Sequence, residues 1–177
     1  MEEDLALVQK VKTGDKRAFK RLYDGHVDRL FRFMGQFSRD SGLVEDWVQR
    51  AFIKAYNNIA SFHGNSRFAT WLFTIALNEM RTDLRRPALT LINAADLWDA
   101  APAGRETDDF EWNDTMRASL AGLDETKRTV FVLYEVEGYS HAEIAAMLTI
   151  SEDNSRVLLS RAKHYLRTHW DRMENVV

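Results

Sequence analysis

Both prolines of this 177-residue chain, Pro87 and Pro102, fall in a single stretch. It reads Pro-Ala-Leu-Thr-Leu-Ile-Asn-Ala-Ala-Asp-Leu-Trp-Asp-Ala-Ala-Pro-Ala-Gly and has neither helical nor strand periodicity. On either side apolar residues recur at helical spacing, and no alternating pattern of strand type occurs. Structureless runs beyond about 15 residues are uncommon inside a compact domain, so the stretch is expected to be a linker. The expected fold is all α: a four-helix N-terminal domain over residues 1–86, a flexible acidic linker over 87–113, and a C-terminal helix-turn-helix domain over 114–177.

Charge follows the same division. The whole chain carries −3, which by itself argues against nucleic-acid binding. Between Pro87 and Asp114, however, seven acids face the single base Arg105, and the remainder of the chain carries a net +3. One acidic segment hides a mildly basic remainder. The 45% hydrophobic content supplies real cores, and no run approaches the roughly 18 apolar residues of a membrane span. With an acidic Met-Glu-Glu-Asp opening where a signal peptide would be basic, the chain is expected in the cytoplasm. It has no cysteine, and its five histidines are scattered, so no metal or other cofactor is expected.

In the N-terminal part, breaks at Gly14-Asp15 and from Ser38 to Gly42 separate four expected helices. The third, about 42–60, places Val44, Trp47, Val48, Ala51, Phe52, Ala55 and Ile59 on one face. The fourth, about 66–86, is expected to bury Leu72, Ile75 and Ala76, with Met80 and Leu84 continuing that face. Phe68, Trp71 and Phe73 cluster at its start after the polar loop Phe62-His63-Gly64-Asn65, and Asn78, Arg81, Arg85 and Arg86 continue along its outer side. Aromatics interleaved with bases suit single-stranded DNA, because unstacked bases need a π face and the backbone needs positive charge. Trp71, beside Leu72 and one turn before Ile75, sits at core spacing, whereas Phe73 and the loop residues His63, Asn65 and Arg67 are less easily buried.

In the C-terminal part, Thr126 to Glu137 reads as an amphipathic helix ended by Gly138. Ser140-His141-Ala142-Glu143 has the form of a capping box opening a short helix. A turn at Thr149-Ile150 follows, and Ser151 can cap a longer basic helix running to about Trp170. Short helix, tight turn and longer basic helix make a helix-turn-helix pattern, whose second helix enters the major groove. Arg156, Ser160, Lys163 and Arg167 share one side of it, with Arg161 and His164 beside them. Arginine's planar fork suits guanine edges and phosphates, although a plain solvated face has the same composition.

Over nearly its whole length the chain resembles the extracytoplasmic-function (ECF) sigma factors. Ala18 to Tyr23 with His26 to Phe31 is similar to that family's first helix, Val44 to Tyr56 to the segment that grips the polymerase clamp, and Phe68 to Asn78 to the segment that melts the promoter and reads its minus-ten element. Leu123 to Glu137, Gly138 to Ser140, Glu143 to Ala145 and Leu159 to Lys163 resemble the domain that reads the minus-thirty-five element. The resemblance implies a non-catalytic subunit that directs RNA polymerase to promoters. It implies that Asp46, Gln49, Arg50 and Ile53 contact core polymerase. His63, Asn65, Arg67, Phe68, Trp71, Phe73, Asn78, Arg81, Arg85 and Arg86 would serve minus-ten DNA, with the loop from His63 to Arg67 holding a flipped base. Asn154, Arg156, Val157, Ser160, Arg161, Lys163 and Arg167 would serve minus-thirty-five DNA. The implied partners are core RNA polymerase, promoter DNA and an anti-sigma factor.

The chain also departs from the family. Ser155 stands where an apolar core residue is usual, Leu158 where a base is usual, and Thr82 where an aspartate is common, with Asp83 one position later. Either Val157 or Leu158 touches thymine methyls, or Leu158 is buried against a partner. Two other readings follow from the same residues. One is a helix-turn-helix activator or repressor, and the other is a sigma mimic that engages a regulatory partner without reading DNA. A linker of about 27 residues can reach roughly 90 Å, beyond the about 70 Å that two turns of duplex require.

Overall fold

The computed structural model describes residues 2–85 and 119–174, with side chains as far as His169. The linker expected over 87–113 and Arg86 lie outside the described residues. Among the described residues every regular element is a helix, and there is no strand. It divides into two compact units, Met1–Ile92 and Asn93–Val177.

The first unit holds α1 (Glu2–Lys12), α2 (Lys16–Met34), α3 (Ser41–Asn57) and α4 (Phe68–Leu84), with a 3-10 turn at Ile59–Ser61. The breaks seen in the sequence are where helices start. Asp15 accepts hydrogen bonds from the Arg17 and Ala18 amides, and Asp40 from the Leu43 amide, so each carboxylate satisfies donors that a helix leaves open at its first turn. The core forms where α2 and α3 both pack on α4, burying Leu22, Leu30, Phe33, Trp47, Ala51, Leu72, Phe73, Leu77 and Met80. Flanked on two sides, α4 is buried well beyond one stripe. Met80 lies in the core as expected, while Ile75 and Leu84 are half-exposed.

The second unit contains α5 (Glu125–Phe131), a π-helical turn (Val132–Val136), α6 (His141–Leu148) and α7 (Glu152–Glu174). The helix expected from Thr126 to Glu137 therefore widens in its second half. The wider turn keeps Val132 and Leu133 in the core while leaving Tyr134, Glu135 and Val136 outside. Gly138, at φ +73°, ends it in a conformation that favours glycine. The capping box is formed: Ser140 Oγ accepts from the Glu143 amide, and Glu143 Oε2 accepts from the Ser140 amide at 2.9 Å. Thr149 closes α6 in the left-handed region at φ 57°, and Ser151 Oγ accepts from the Asn154 amide to open α7. Leu133, Ile144, Leu159, Ala162 and Leu166 form the core beneath this helix pair.

Two polar groups hold the base of this unit. Arg128 is buried and donates from Nη2 to the carbonyls of Ala121 (2.9 Å) and Leu123 (3.0 Å). Burial pushes its guanidinium down to about 10, so it remains a cation at neutral pH. Asp124 caps α5 through the Lys127 amide and pairs with the Lys127 ammonium at 2.5 Å. Burial, the largest single influence, pushes the Asp124 carboxyl up, but the bonds from Lys127 and the Thr126 amide together hold it below the ordinary carboxylate value. Stability from this cap is therefore present above the ordinary value and lost as pH falls through the lower folded one. Asp124→Ala is expected to cost about 1 kcal/mol at neutral pH and Asp124→Asn only a few tenths. Urea unfolding at neutral pH and near pH 3 checks this, the alanine penalty shrinking at the lower pH.

Candidate nucleic-acid interface

The outer face of α3 runs along positions three and four apart. Asp46, Gln49 and Ile53 are exposed on it, Ile53 by 58%. Arg50, expected with them at a polymerase surface, is half-buried and paired with α4. Its Nη1 donates to Asp83 Oδ1 at 3.1 Å, its Nη2 pairs with Asp83 Oδ2, and Glu79 lies 3.8 Å away. Trp47 Nε1 donates to Asp83 Oδ2 at 3.0 Å, and Lys54 pairs with Glu79. Asp83 draws the Arg50 guanidinium onto α4 and pushes its pKa up. Both acids are buried, and the four charges form a ladder between two antiparallel helices. Thr82 is exposed, and Asp83 faces α3.

The start of α4 corrects a second expectation. Phe68 and Phe73 are 1% and 0% exposed and present no ring to a base. Phe73 packs on Phe33 at 4.6 Å between ring centroids, because α2 covers that side of α4. Trp71, placed at core spacing by sequence, is half-exposed, with its ring 5.2 Å from Phe62 and 5.9 Å from Phe68. His63, Asn65 and Arg67 are exposed in the preceding loop, as are Asn78 and Arg85 along α4, and Arg81 is half-buried. Among the described residues, the aromatic surface available at this end is therefore that of the half-exposed Trp71 beside an exposed polar loop.

In the second unit, Arg156, Leu159, Ser160, Lys163, His164 and Arg167 line one shallow groove on α7. Asn154, Arg161 and Val157 are also exposed, Val157 by 43%. The positive charge is unevenly available. Arg156 is paired with Asp153 and Glu152, each at 2.9 Å. Lys163 is paired with Glu135 at 2.6 Å and lies over the Tyr134 ring. Among the described residues, Arg161 and Arg167 form no ion pair.

Ser155 is fully buried, and its hydroxyl lies 2.9 Å from His141 Nδ1, the His141 ring stacking on Tyr134 at 4.5 Å. The polar side chain that stood out in the sequence is thus a fastening between α6 and α7. Leu158 is half-buried and is not fully covered by its own unit.

Sequence reasoning missed the ladder, although a signal existed. Arg50 and Lys54 are four apart on α3, Glu79 and Asp83 are four apart on α4, and each pair lies at one edge of an apolar face.

Residues 22–90 match Sigma-70 region 2, and residues 114–166 match Sigma-70, region 4. The RNA polymerase sigma-H factor of Pseudomonas aeruginosa is 33% identical over 175 residues, spanning 92% of this chain and 91% of that protein. The ECF RNA polymerase sigma-E factor of Haemophilus influenzae is 33% identical, spanning 92% of this chain and 93% of that one. Among solved structures, CnrH in complex with the cytosolic domain of CnrY has a TM-score of 0.72 at 28% identity, covering 96% of this chain and 98% of CnrH. The sigma factor RpoE in complex with the anti-sigma factor NepR from Bartonella quintana has the same fold, with a TM-score of 0.72 at 23% identity over 86% of this chain and 96% of that one.

Proposed function

The chain belongs to the sigma-70 family of RNA polymerase sigma factors, within its ECF group, and on that premise we propose how its surfaces divide the work of promoter recognition. The observation that carries the division is that the two matched regions lie on separate units, each presenting its own exposed polar surface. The proposed domains are 1–86 and 114–177, with 87–113 as the tether between them.

Core polymerase docks on Asp46, Gln49 and Ile53 of α3. Arg50 acts from behind this face by fastening α3 to α4. The loop of His63, Asn65 and Arg67, with the half-exposed Trp71, holds an unstacked base of the minus-ten element, and Asn78, Arg81, Arg85 and Arg86 follow the backbone. In the second unit α7 enters the major groove at the minus-thirty-five element. Asn154, Val157 and Ser160 face base edges, and Arg161, Lys163 and Arg167 face phosphates. The protein catalyses nothing itself; it supplies recognition to the polymerase in the cytoplasm. An anti-sigma factor is the expected inhibitory partner, as the two solved relatives are bound to CnrY and NepR.

Mapping transcript starts with purified core polymerase, with and without the chain, tests this reading. Initiation at one class of two-element promoter is expected only when both are present. A helix-turn-helix regulator would instead bind its operator without polymerase, and a sigma mimic would start no transcripts.

A further inference from the structure

Helix α1 lies ahead of the residues that match region 2, which begin at 22. It nevertheless touches the upstream end and the turn of the polar loop at 63–67, and reaches the downstream end through His26 of α2. On the upstream side, Lys12 Nζ donates to the Phe62 carbonyl at 2.7 Å, across 50 residues of sequence. Within the loop, Gly64 sits at φ +79°, and a Cβ placed there would lie 3.2 Å from Leu5 Cδ2, so Leu5 closes directly against the turn. On the downstream side, Asp4 Oδ2 lies 3.2 Å from His26 Nε2, and the His26 ring packs on Phe68, the first residue of α4, at 5.3 Å. Phe62 and Phe68 meet edge to face at 5.8 Å. The loop thus hangs between two aromatic posts that touch each other, and α1 holds the first post and the turn directly and the second through His26.

From this geometry we infer that α1 is a positioning element for base capture, with Lys12 and Leu5 its positioning residues. The inference rests on the proposed role of the loop. A flipped base is read by hydrogen bonds and stacking whose geometry must be fixed before the base arrives. An exposed loop of polar residues cannot fix its own ends. The buried Leu7, Val8 and Val11 anchor α1 to the unit, and Lys12 and Leu5 transmit that anchorage to the loop.

The test uses the full chain with core polymerase and promoters carrying each of the four bases at every minus-ten position, read as the ratio of transcript from the preferred base to that from its best competitor. Lys12→Met keeps the aliphatic stem and removes the donor, and Lys12→Arg restores one. Leu5→Ala disturbs the turn without changing charge. His63→Ala and Asn65→Ala report on the loop itself. Lys12→Met and Leu5→Ala are each expected to flatten the ratio about fivefold, with Lys12→Arg close to the parent and core-polymerase affinity within about twofold throughout. A ratio unchanged in Lys12→Met while the loop variants lose it would overturn the positioning role and leave the loop's function standing, as would failure of Lys12→Arg to restore it. If the loop variants themselves leave the ratio unchanged, base capture by this loop is wrong and the inference falls with it.

Discussion

Replacing Asp83 with alanine is expected to destabilise the first unit by about 3 kcal/mol. The carboxylate accepts from Trp47 Nε1 and from both terminal nitrogens of Arg50. Removing it leaves a buried indole donor without its acceptor and a guanidinium whose other acid, Glu79, is 3.8 Å away. Because the Arg50 side chain is 33% exposed, water recovers part of the loss, which places the expectation at the lower end for a broken buried pair. Asp83→Asn keeps an acceptor for Trp47 and should cost about half as much. Urea unfolding of the full chain, with a double-mutant cycle against Arg50→Met, measures the coupling. A cost below about 1 kcal/mol for alanine would mean that the ladder is ornamental to packing. The double replacement Arg50→Met with Asp83→Leu should recover only part of the stability, because an apolar pair no longer carries the desolvation cost of the charges but still leaves Trp47 Nε1 without its acceptor.

Removing Arg161 and Arg167 together is expected to lower transcription from a two-element promoter at least about tenfold while leaving assembly with core polymerase intact. These two are exposed and form no ion pair among the described residues, so their charge is free for phosphate. The salt dependence of promoter binding should fall by roughly 0.9 in slope for each phosphate no longer neutralised, nearly 2 in all. Arg156 makes a useful contrast. Its guanidinium already pairs with Glu152 and Asp153, so alanine there removes less net attraction than its place on the first turns of α7 suggests. Unchanged transcription in the double variant would remove α7 from DNA reading and favour the interaction-protein alternative for this unit.

The boundaries and caps of the fold were legible because their causes are local. Ser140 with Glu143, and Ser151 with Asn154, act across three residues, and the amide each one satisfies is fixed by helix geometry alone. The same applies to the breaks at Asp15 and Asp40, where each cap reaches only two or three residues ahead. Helical periodicity and the placement of both prolines in one acidic stretch were sufficient for the division into two helical domains. The exposed residues of α3 and α7 follow from the same periodicity, since a side chain pointing away from an apolar stripe needs no partner to be placed.

Tertiary structure decided the rest, and for one reason: a helix face has no meaning until its neighbours are positioned. With α2 and α3 on two sides of α4, Phe73 enters the core against Phe33, while Trp71, at core spacing in sequence, stays half-exposed. Arg50 has the spacing of a surface residue, yet Asp83, 33 positions away, draws it against α4 and leaves it half-buried. Ser155 is a polar residue at an apolar position until His141 arrives beside it. Sequence by itself determined that two helical units exist, where their helices begin and which residues lie on outer faces. Which of those residues remain free to meet a polymerase or a DNA strand was determined by long-range packing and charge pairing, which depend on the rotation of one helix against another.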